Sequence, residues 1–95
     1  MKQKVTIRVI NEKVTGISKT NGMPWTIQKL HLAWEEPFDE SHTTTQLVIV
    51  TLRGDELKLV EERNLQVGDV IDVDLHFYPR TSGKFVENEV TMRLL

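Results

Sequence analysis

Basic side chains and rings that can contact nucleobases and phosphates recur along this 95-residue chain. Aromatic rings stack on bases, and lysine and arginine neutralise phosphates, so such a mixture is typical of surfaces that hold single strands. The candidate stacking residues are Trp25 and Tyr78. The candidate polar and cationic contacts are Lys19, Lys29, His31, Arg53, Arg80 and Lys84. Whether these residues form one site depends on the elements that position them.

The sequence gives less support for a metal site or a catalytic site than for nucleic-acid binding. Asp72, Asp74 and His76 alternate along the chain, but residues two apart on a strand are separated by about 7 Å, too far to share one ion easily. We therefore expect a solvated strand face there, with no metal and no cofactor. The sequence contains no nucleophile elbow, no H-E-x-x-H motif and no phosphate-binding glycine loop. These features predict a non-catalytic protein.

The charge balance limits how strongly the chain can hold a polyanion. Twelve basic and 14 acidic residues give a formal net charge of −2. Binding to nucleic acid would therefore need a local patch, and it would be modest and sensitive to salt. The sequence has no cysteine, no long apolar run and no signal-peptide pattern. We expect one cytoplasmic domain over residues 1–95, without membrane contact.

Alternating apolar residues predict three strands in the first half of the chain. Lys4 to Ile10 alternates regularly, and strand character can continue from Val14 to Ile17. After a loop, Trp25 to Trp34 alternates again, and a change of parity within it predicts a β-bulge near Gln28. Thr45 to Arg53 is apolar almost throughout, which predicts a third strand that is covered at least partly on both faces.

A short helix and a terminal hairpin are predicted for the second half. Asp55 is the expected N-cap of a helix over Glu56 to Asn64. Two further alternating runs, Ile71 to Phe77 and Val86 to Leu94, predict two strands. Proline, serine and glycine between them predict a loop over Pro79 to Lys84.

The predicted order is strand, strand, strand, helix, strand, strand. Five short antiparallel strands with one helix after the third fit an all-β fold, a five-stranded Greek-key barrel of the OB type. Closing the sheet into a barrel also hides most of its edges. The alternative is an open α+β meander with the helix packed on one face of the sheet.

Several segments resemble OB domains that bind single-stranded DNA. T-G-I-S-K-T-N-G-M-P-W-T-I-Q (Thr15 to Gln28) is similar to their first-hairpin region. V-T-L-R-G-D-E-L and L-Q-V-G-D-V-I-D-V resemble their third strand, helix and fourth strand, and G-K-F-V-E-N-E-V resembles their last strand. The whole chain is similar to short bacterial OB-fold proteins related to single-strand-binding proteins. Two departures are the absence of an acidic carboxy-terminal tail and the mildly acidic balance.

An OB barrel would place the candidate residues around one groove. OB folds bind oligonucleotides on the face of strands two and three, between the loops that join strands one to two and four to five. With Leu30 and Leu32 directed inward, Lys29 and His31 would point outward, beside Arg53. The flanking loops would add Lys19, Trp25, Tyr78, Arg80 and Lys84. Trp25 can belong to the groove or to the core, whereas Trp34 and Phe38 are expected in core or loop packing.

A protein-interaction module of unknown partner is the alternative function. The acidic loop after Trp34 and the net negative charge favour it. A continuous positive groove would favour single-stranded DNA or RNA as the partner, and an acidic or apolar groove would favour a protein. Leu47 and Ile49, on the outer face of the third strand, predict a surface through which a homodimer could form.

Overall fold

The computed structural model describes the backbone of residues 1–95 and every side chain except those of Arg80 and Ser82. Its elements, in chain order, are β1 (Lys2–Ile10), β2 (Val14–Ile17), β3 (Pro24–Pro37), β4 (Thr43–Leu52), α1 (Gly54–Glu62), β5 (Val70–Ser82) and β6 (Phe85–Leu94). No helix in the described part of the chain has the length and apolar character needed to cross a membrane.

Five of the strands close into a barrel. β1 pairs antiparallel with both β3 and β5, β3 pairs with β4, and β5 pairs with β6. The ring is completed by β4 and β6, which meet in parallel orientation at Val50 and Val90. The helix lies between the third and fourth strands of this ring. The predicted all-β OB-type barrel is therefore confirmed, and the open meander is excluded.

The barrel interior is filled by apolar side chains from all five of its strands and from α1. Members of the buried cluster that share a strand lie two positions apart, as the period of a half-buried strand requires. The buried cluster consists of Val5, Ile7, Leu30, Leu32, Trp34, Val50, Leu52, Leu57, Val60, Val73, Leu75, Met92 and Leu94. This core fixes which side chains remain on the outer face.

The irregularity predicted on the second strand lies on the first. The register of β3 against β4 is unbroken from Gln28 to Pro37, so the prediction of a β-bulge near Gln28 is wrong. The register of β1 against β3 shifts instead between Ile7 and Val9. As a result Val9 is exposed and Ile10 packs against the core, which reverses the simple alternation of β1.

β2 lies outside the ring and forms a hairpin with the first four residues of β3. Trp25 and Ile27 share a parity with the outward residues of β3, which explains the parity change in the sequence without a bulge. The hairpin projects the Trp25 side chain away from the barrel core.

The helix begins at Gly54, two residues earlier than its sequence predicts. Arg53 is the N-cap and makes no side-chain capping bond, so the prediction that Asp55 caps the helix is wrong. Asp55 and Glu56 instead lie in the first turn, where negative charge favours the helix dipole. Asn64, with φ of 51°, follows the helix in the left-handed region that asparagine tolerates.

The predicted loop over Pro79 to Lys84 is also wrong. β5 continues to Ser82, which pairs with Phe85 across a two-residue turn at Gly83 and Lys84. Gly83 has φ of 61°, as such a tight turn requires. Pro79 is tolerated because β1 pairs only with the first part of β5, Val70 to Asp74, so no neighbour on that side needs its missing N–H. The two strands form a long arm that extends beyond the barrel.

Candidate functional site

The outer face of β3 and β4 carries a shallow groove of about 300 Å³. It is lined by Ile27, Lys29, Ile49, Thr51, Arg53, Glu87, Asn88, Glu89 and Val90. Lys29 and Arg53 point outward as the sequence predicts, because their neighbours Leu30 and Leu52 fill the barrel. This surface is referred to below as the groove.

The groove has mixed charge. Two cations, Lys29 and Arg53, face two carboxylates, Glu87 and Glu89, at the base of the arm. The Arg53 guanidinium lies 3.0 Å from the Glu89 carboxylate, measured from Nη2 to Oε1. The groove is therefore neither continuously positive nor continuously acidic. An incoming phosphate would compete with Glu89 for Arg53, whereas Lys29 has no carboxylate within 4 Å among the described side chains.

A larger pocket of about 720 Å³ lies beside the groove, between the β2–β3 hairpin and α1. Its lining residues are Lys13, Pro24, Trp25, Thr26, Ile27, Arg53, Gly54, Leu57, Lys58 and Glu61. We refer to it as the Trp25 pocket. Ile27 and Arg53 line both depressions, so the groove and the Trp25 pocket are adjoining parts of one surface.

Trp25 is held on the hairpin by close contact with a glycine. Trp25 and Gly16 are register partners in the β2–β3 pairing. A β-carbon on Gly16 would lie 2.3 Å from Trp25 Cζ2, so the indole occupies the space of the missing side chain. Trp25 is 42% exposed and is absent from the buried cluster. The open question about Trp25 is thus resolved in favour of a surface position.

The other two candidate core aromatics behave differently from each other. Trp34 is 8% exposed and belongs to the core, as predicted. Its indole Nε1 donates a 2.8 Å hydrogen bond to Glu36 Oε1, which satisfies its polar atom. Phe38 is 74% exposed in the β3–β4 loop, so the expectation that it packs into the core or the loop is wrong.

The rim of the Trp25 pocket carries three cations and one carboxylate. Lys13 forms an ion pair with Glu61, which links the β1–β2 connection to α1. Lys58 has no carboxylate within 4 Å among the described residues, whereas Arg53 contacts Glu89 at the groove side. Pro24, Ile27 and Leu57 supply the apolar part of the wall. The pocket thus combines an exposed ring, apolar surface and a positive rim.

Tyr78 lies on the same outer surface as the groove. It is 52% exposed and pairs in register with Glu89, which in turn contacts Arg53. Its ring stacks with that of His76, with centroids 6.3 Å apart. Tyr78, Glu89 and Arg53 are therefore neighbours across adjacent strands, and together they connect the arm with the groove.

The remaining predicted residues are more scattered. His31 is half-buried on the outer face of β3, with its Nε2 atom 3.4 Å from the side-chain nitrogen of Asn11. Lys19 lies in the turn of the β2–β3 hairpin and Lys84 in the turn of the arm, and both are exposed. The backbone of Arg80 belongs to β5, but its side chain lies outside the described residues. Lys19 and Lys84 line neither depression.

Three residues of this region were missed by sequence reasoning. Lys13 and Lys58 line the Trp25 pocket because α1 packs next to the hairpin, a contact that no local pattern reveals. Gly16 supports Trp25 through strand pairing. Gly16 and Trp25 are nine positions apart, and the Asn-Gly turn between them was the one available signal that they face each other.

Two carboxyl groups outside these depressions have altered acidity. Hydrogen bonds from the Ser41 backbone N–H and from His42 hold the pKa of Asp39 below its usual value. The amino-terminal ammonium of Met1, 2.9 Å from the carboxylate, lowers the pKa of Asp74. No group of three or more potential metal ligands occurs among the described side chains, and Asp72 is exposed at the strand face considered for metal.

Comparison with known proteins gives one structural likeness. No family model matches the sequence, and no curated protein matches it. The fold is similar to the crystal structure of a small single-stranded DNA-binding protein from Streptomyces coelicolor, with 16% sequence identity and a TM-score of 0.49. The likeness covers 100% of this chain and 89% of that one. The assignment of the OB-type barrel depends on the strand pairings of this chain itself.

Proposed function

We propose that this protein binds single-stranded nucleic acid, DNA or RNA, without catalysing a reaction on it. The observation that carries the proposal is Trp25, an exposed indole seated on Gly16 that lines the Trp25 pocket together with the cations Lys13, Arg53 and Lys58. Stacking on an aromatic ring is tolerant of sequence, because every base presents a π-face. Tyr78, also exposed on this outer surface, is the second stacking candidate.

The charges of the site favour modest, salt-dependent affinity. Lys29 and Lys58 have no carboxylate partner within 4 Å among the described residues, whereas Arg53 and Lys13 are already paired with acids. With about three to five phosphate contacts, the slope of log affinity against log salt is roughly −2 to −3.5 for a single strand. The carboxylates of Glu87 and Glu89 would keep the affinity below that of a wholly basic groove.

Fluorescence anisotropy of a labelled oligo-dT, measured at low salt and again at increasing salt, tests this proposal. We expect saturable binding that weakens with the slope given above. An oligo-rU of the same length distinguishes DNA from RNA preference, and a duplex of the same length tests the selectivity for single strands. Absence of binding to any of the single strands at high micromolar protein would refute the function.

A protein-interaction module is the second candidate, because one outer strand exposes apolar side chains. Leu47 is 70% exposed and Ile49 is 52% exposed on the outer face of β4. Single exposed apolar residues are common on monomers, so their adjacency is the relevant feature. Under this hypothesis a homodimer or another protein covers β4. Sedimentation of the free protein across a concentration series would detect self-association, and a strictly monomeric protein would exclude the homodimer.

A further inference from the structure

The Trp25 pocket borders the face of β3 and β4 that OB folds use for oligonucleotides and extends from there to α1. Its lining includes Leu57, Lys58 and Glu61 of α1 and residues 24–27 of β3. At about 720 Å³ it falls within the range of pockets that hold small ligands, and it is larger than the groove. It is therefore a second place where a ligand can lie, adjoining the groove and sharing Ile27 and Arg53 with it.

The lining of this pocket favours a ligand that is both aromatic and anionic. One side of the indole contacts Gly16, and Trp25 also lines the pocket, where a planar ring can stack on it. The charge of Glu61 is compensated by its ion pair with Lys13. Arg53 is paired with Glu89, so the charge without a carboxylate partner in the lining is that of Lys58, and a negative group next to a stacked ring would be stabilised there. A base with its phosphate has this combination.

The shared residues indicate how a strand would reach the pocket. Ile27 and Arg53 line both depressions, so a chain lying in the groove can pass Arg53 and enter the Trp25 pocket without leaving the surface. Beyond Trp25 the next cation is Lys58 on α1. A ligand confined to the groove would contact Lys29 and Arg53 but would not contact Lys58.

We propose that the Trp25 pocket is a nucleotide subsite that extends the binding surface from the barrel onto α1. One base of the bound strand stacks on Trp25, and its phosphate lies between Arg53 and Lys58. This inference depends on the proposed function, because it describes where part of the same single strand lies. It assigns a ligand contact to Lys58, on a helix that the groove does not include.

The test compares two lysine neutralisations, Lys58→Ala and Lys4→Ala, by anisotropy with labelled oligo-dT. Lys4 is the matched control because it is exposed on β1 and lines neither depression. One phosphate contact contributes about 0.7 to the slope of log affinity against log salt concentration. Between 1 M and 0.05 M salt, such a contact therefore strengthens binding roughly eightfold. We therefore expect Lys58→Ala to weaken binding about eightfold at 0.05 M salt and to flatten the slope by about 0.7. Lys4→Ala should change neither quantity.

Tryptophan emission provides a second readout that does not depend on the lysines. Trp25 is exposed and Trp34 is buried, so quenching on addition of unlabelled oligo-dT reports Trp25. The Trp25→Phe variant, in which Trp34 is the remaining tryptophan, should show no quenching and gives the background.

The outcomes separate this inference from the function on which it depends. Binding with quenched Trp25 emission and a weakened Lys58→Ala variant supports the subsite. Binding by anisotropy with a Lys58→Ala variant that matches the wild type would overturn the subsite and leave the function intact. Binding with unquenched emission would overturn both the subsite and the stacking role of Trp25, and would leave the binding of single strands itself in place. Absence of anisotropy change with the unmodified protein would remove both the subsite and the function.

Discussion

Replacing Gly16 by alanine should weaken nucleic-acid binding although Gly16 itself contacts no ligand in the proposed site. The added β-carbon would lie 2.3 Å from Cζ2, 2.7 Å from Cε2 and 3.0 Å from Cη2 of Trp25. Ordinary contacts begin near 3.4 Å, so the indole must move by about 1 Å or turn away from the hairpin. Gly16 is not among the glycines with positive φ, so alanine adds no backbone strain.

The size of the effect follows from what Trp25 contributes to binding. Losing a base stack on an aromatic side chain costs about 1–3 kcal/mol, which corresponds to roughly 5- to 150-fold in Kd. We expect Gly16→Ala to fall within that range. Its effect on folding should be smaller than the roughly 3–5 kcal/mol of a buried tryptophan truncated to alanine, because Trp25 is 42% exposed and lies outside the core cluster.

The assay is anisotropy with labelled oligo-dT, accompanied by thermal unfolding followed by circular dichroism. Thr15→Ala is the matched control. Thr15 is exposed on β2, where it pairs with Thr26 of β3, and as the chain neighbour of Gly16 it lies on the opposite face of β2 from Gly16. In a double-mutant cycle, Gly16→Ala should cost little once Trp25 is already alanine. The positioning role would be refuted if Gly16→Ala bound like the wild type while Trp25→Ala bound weakly. It would also be refuted if the cost of Gly16→Ala persisted unchanged without the indole.

Three other predictions concern the core, the surface and the pH dependence. Trp34→Ala should destabilise the protein by about 3–5 kcal/mol, measured by urea unfolding, and a loss below about 1 kcal/mol would contradict its core position. Leu47→Glu should abolish any self-association seen by sedimentation, because Leu47 is exposed on the outer face of β4. It should leave the affinity for oligo-dT nearly unchanged, since Leu47 lines neither depression. An unaltered self-association constant would exclude β4 as the contact surface. The pKa of Asp39 should be below 3.8 in a carbon-detected NMR titration, because the Ser41 N–H stabilises the carboxylate. Because the pKa of Asp39 is lower in the folded state than in the unfolded state, its carboxylate stabilises the fold at any pH above the unfolded-state pKa, and this stabilisation should be lost as the pH falls through the folded-state pKa. Asp39→Asn should remove this pH dependence of stability. A measured Asp39 pKa above 3.8 would contradict the prediction.

The local sequence pattern was sufficient to predict the direction of a side chain where that direction depends only on neighbouring residues in the chain. The alternation around Leu30 and Leu32 placed Lys29 outward, because side chains of a strand alternate between its two faces whatever lies nearby. The position of the helix between the third and fourth barrel strands also followed from the sequence, since Leu57 and Val60 can share one buried face. Element order then limited the fold to few alternatives, of which the barrel was one.

Local pattern failed where strand pairing decided the outcome. Pro79 and its neighbours have the composition of a loop, yet β6 pairs with this segment up to Ser82 and keeps it extended. The register shift near Arg8 likewise reverses Val9 and Ile10 on β1, which strict alternation could not anticipate. In both cases pairing with another strand outweighs a weak local preference.

By itself, the sequence determined the approximate positions of the five barrel strands and of the single helix, the outward positions of Lys29 and Arg53, and the residue types that suit a single strand. Only the tertiary structure decided that Trp25 is exposed, that Glu89 reaches Arg53, and that Lys58 faces the same pocket as Trp25. The physical reason is that side-chain direction is a property of a strand or helix, whereas a pocket is a property of elements that meet when the barrel closes.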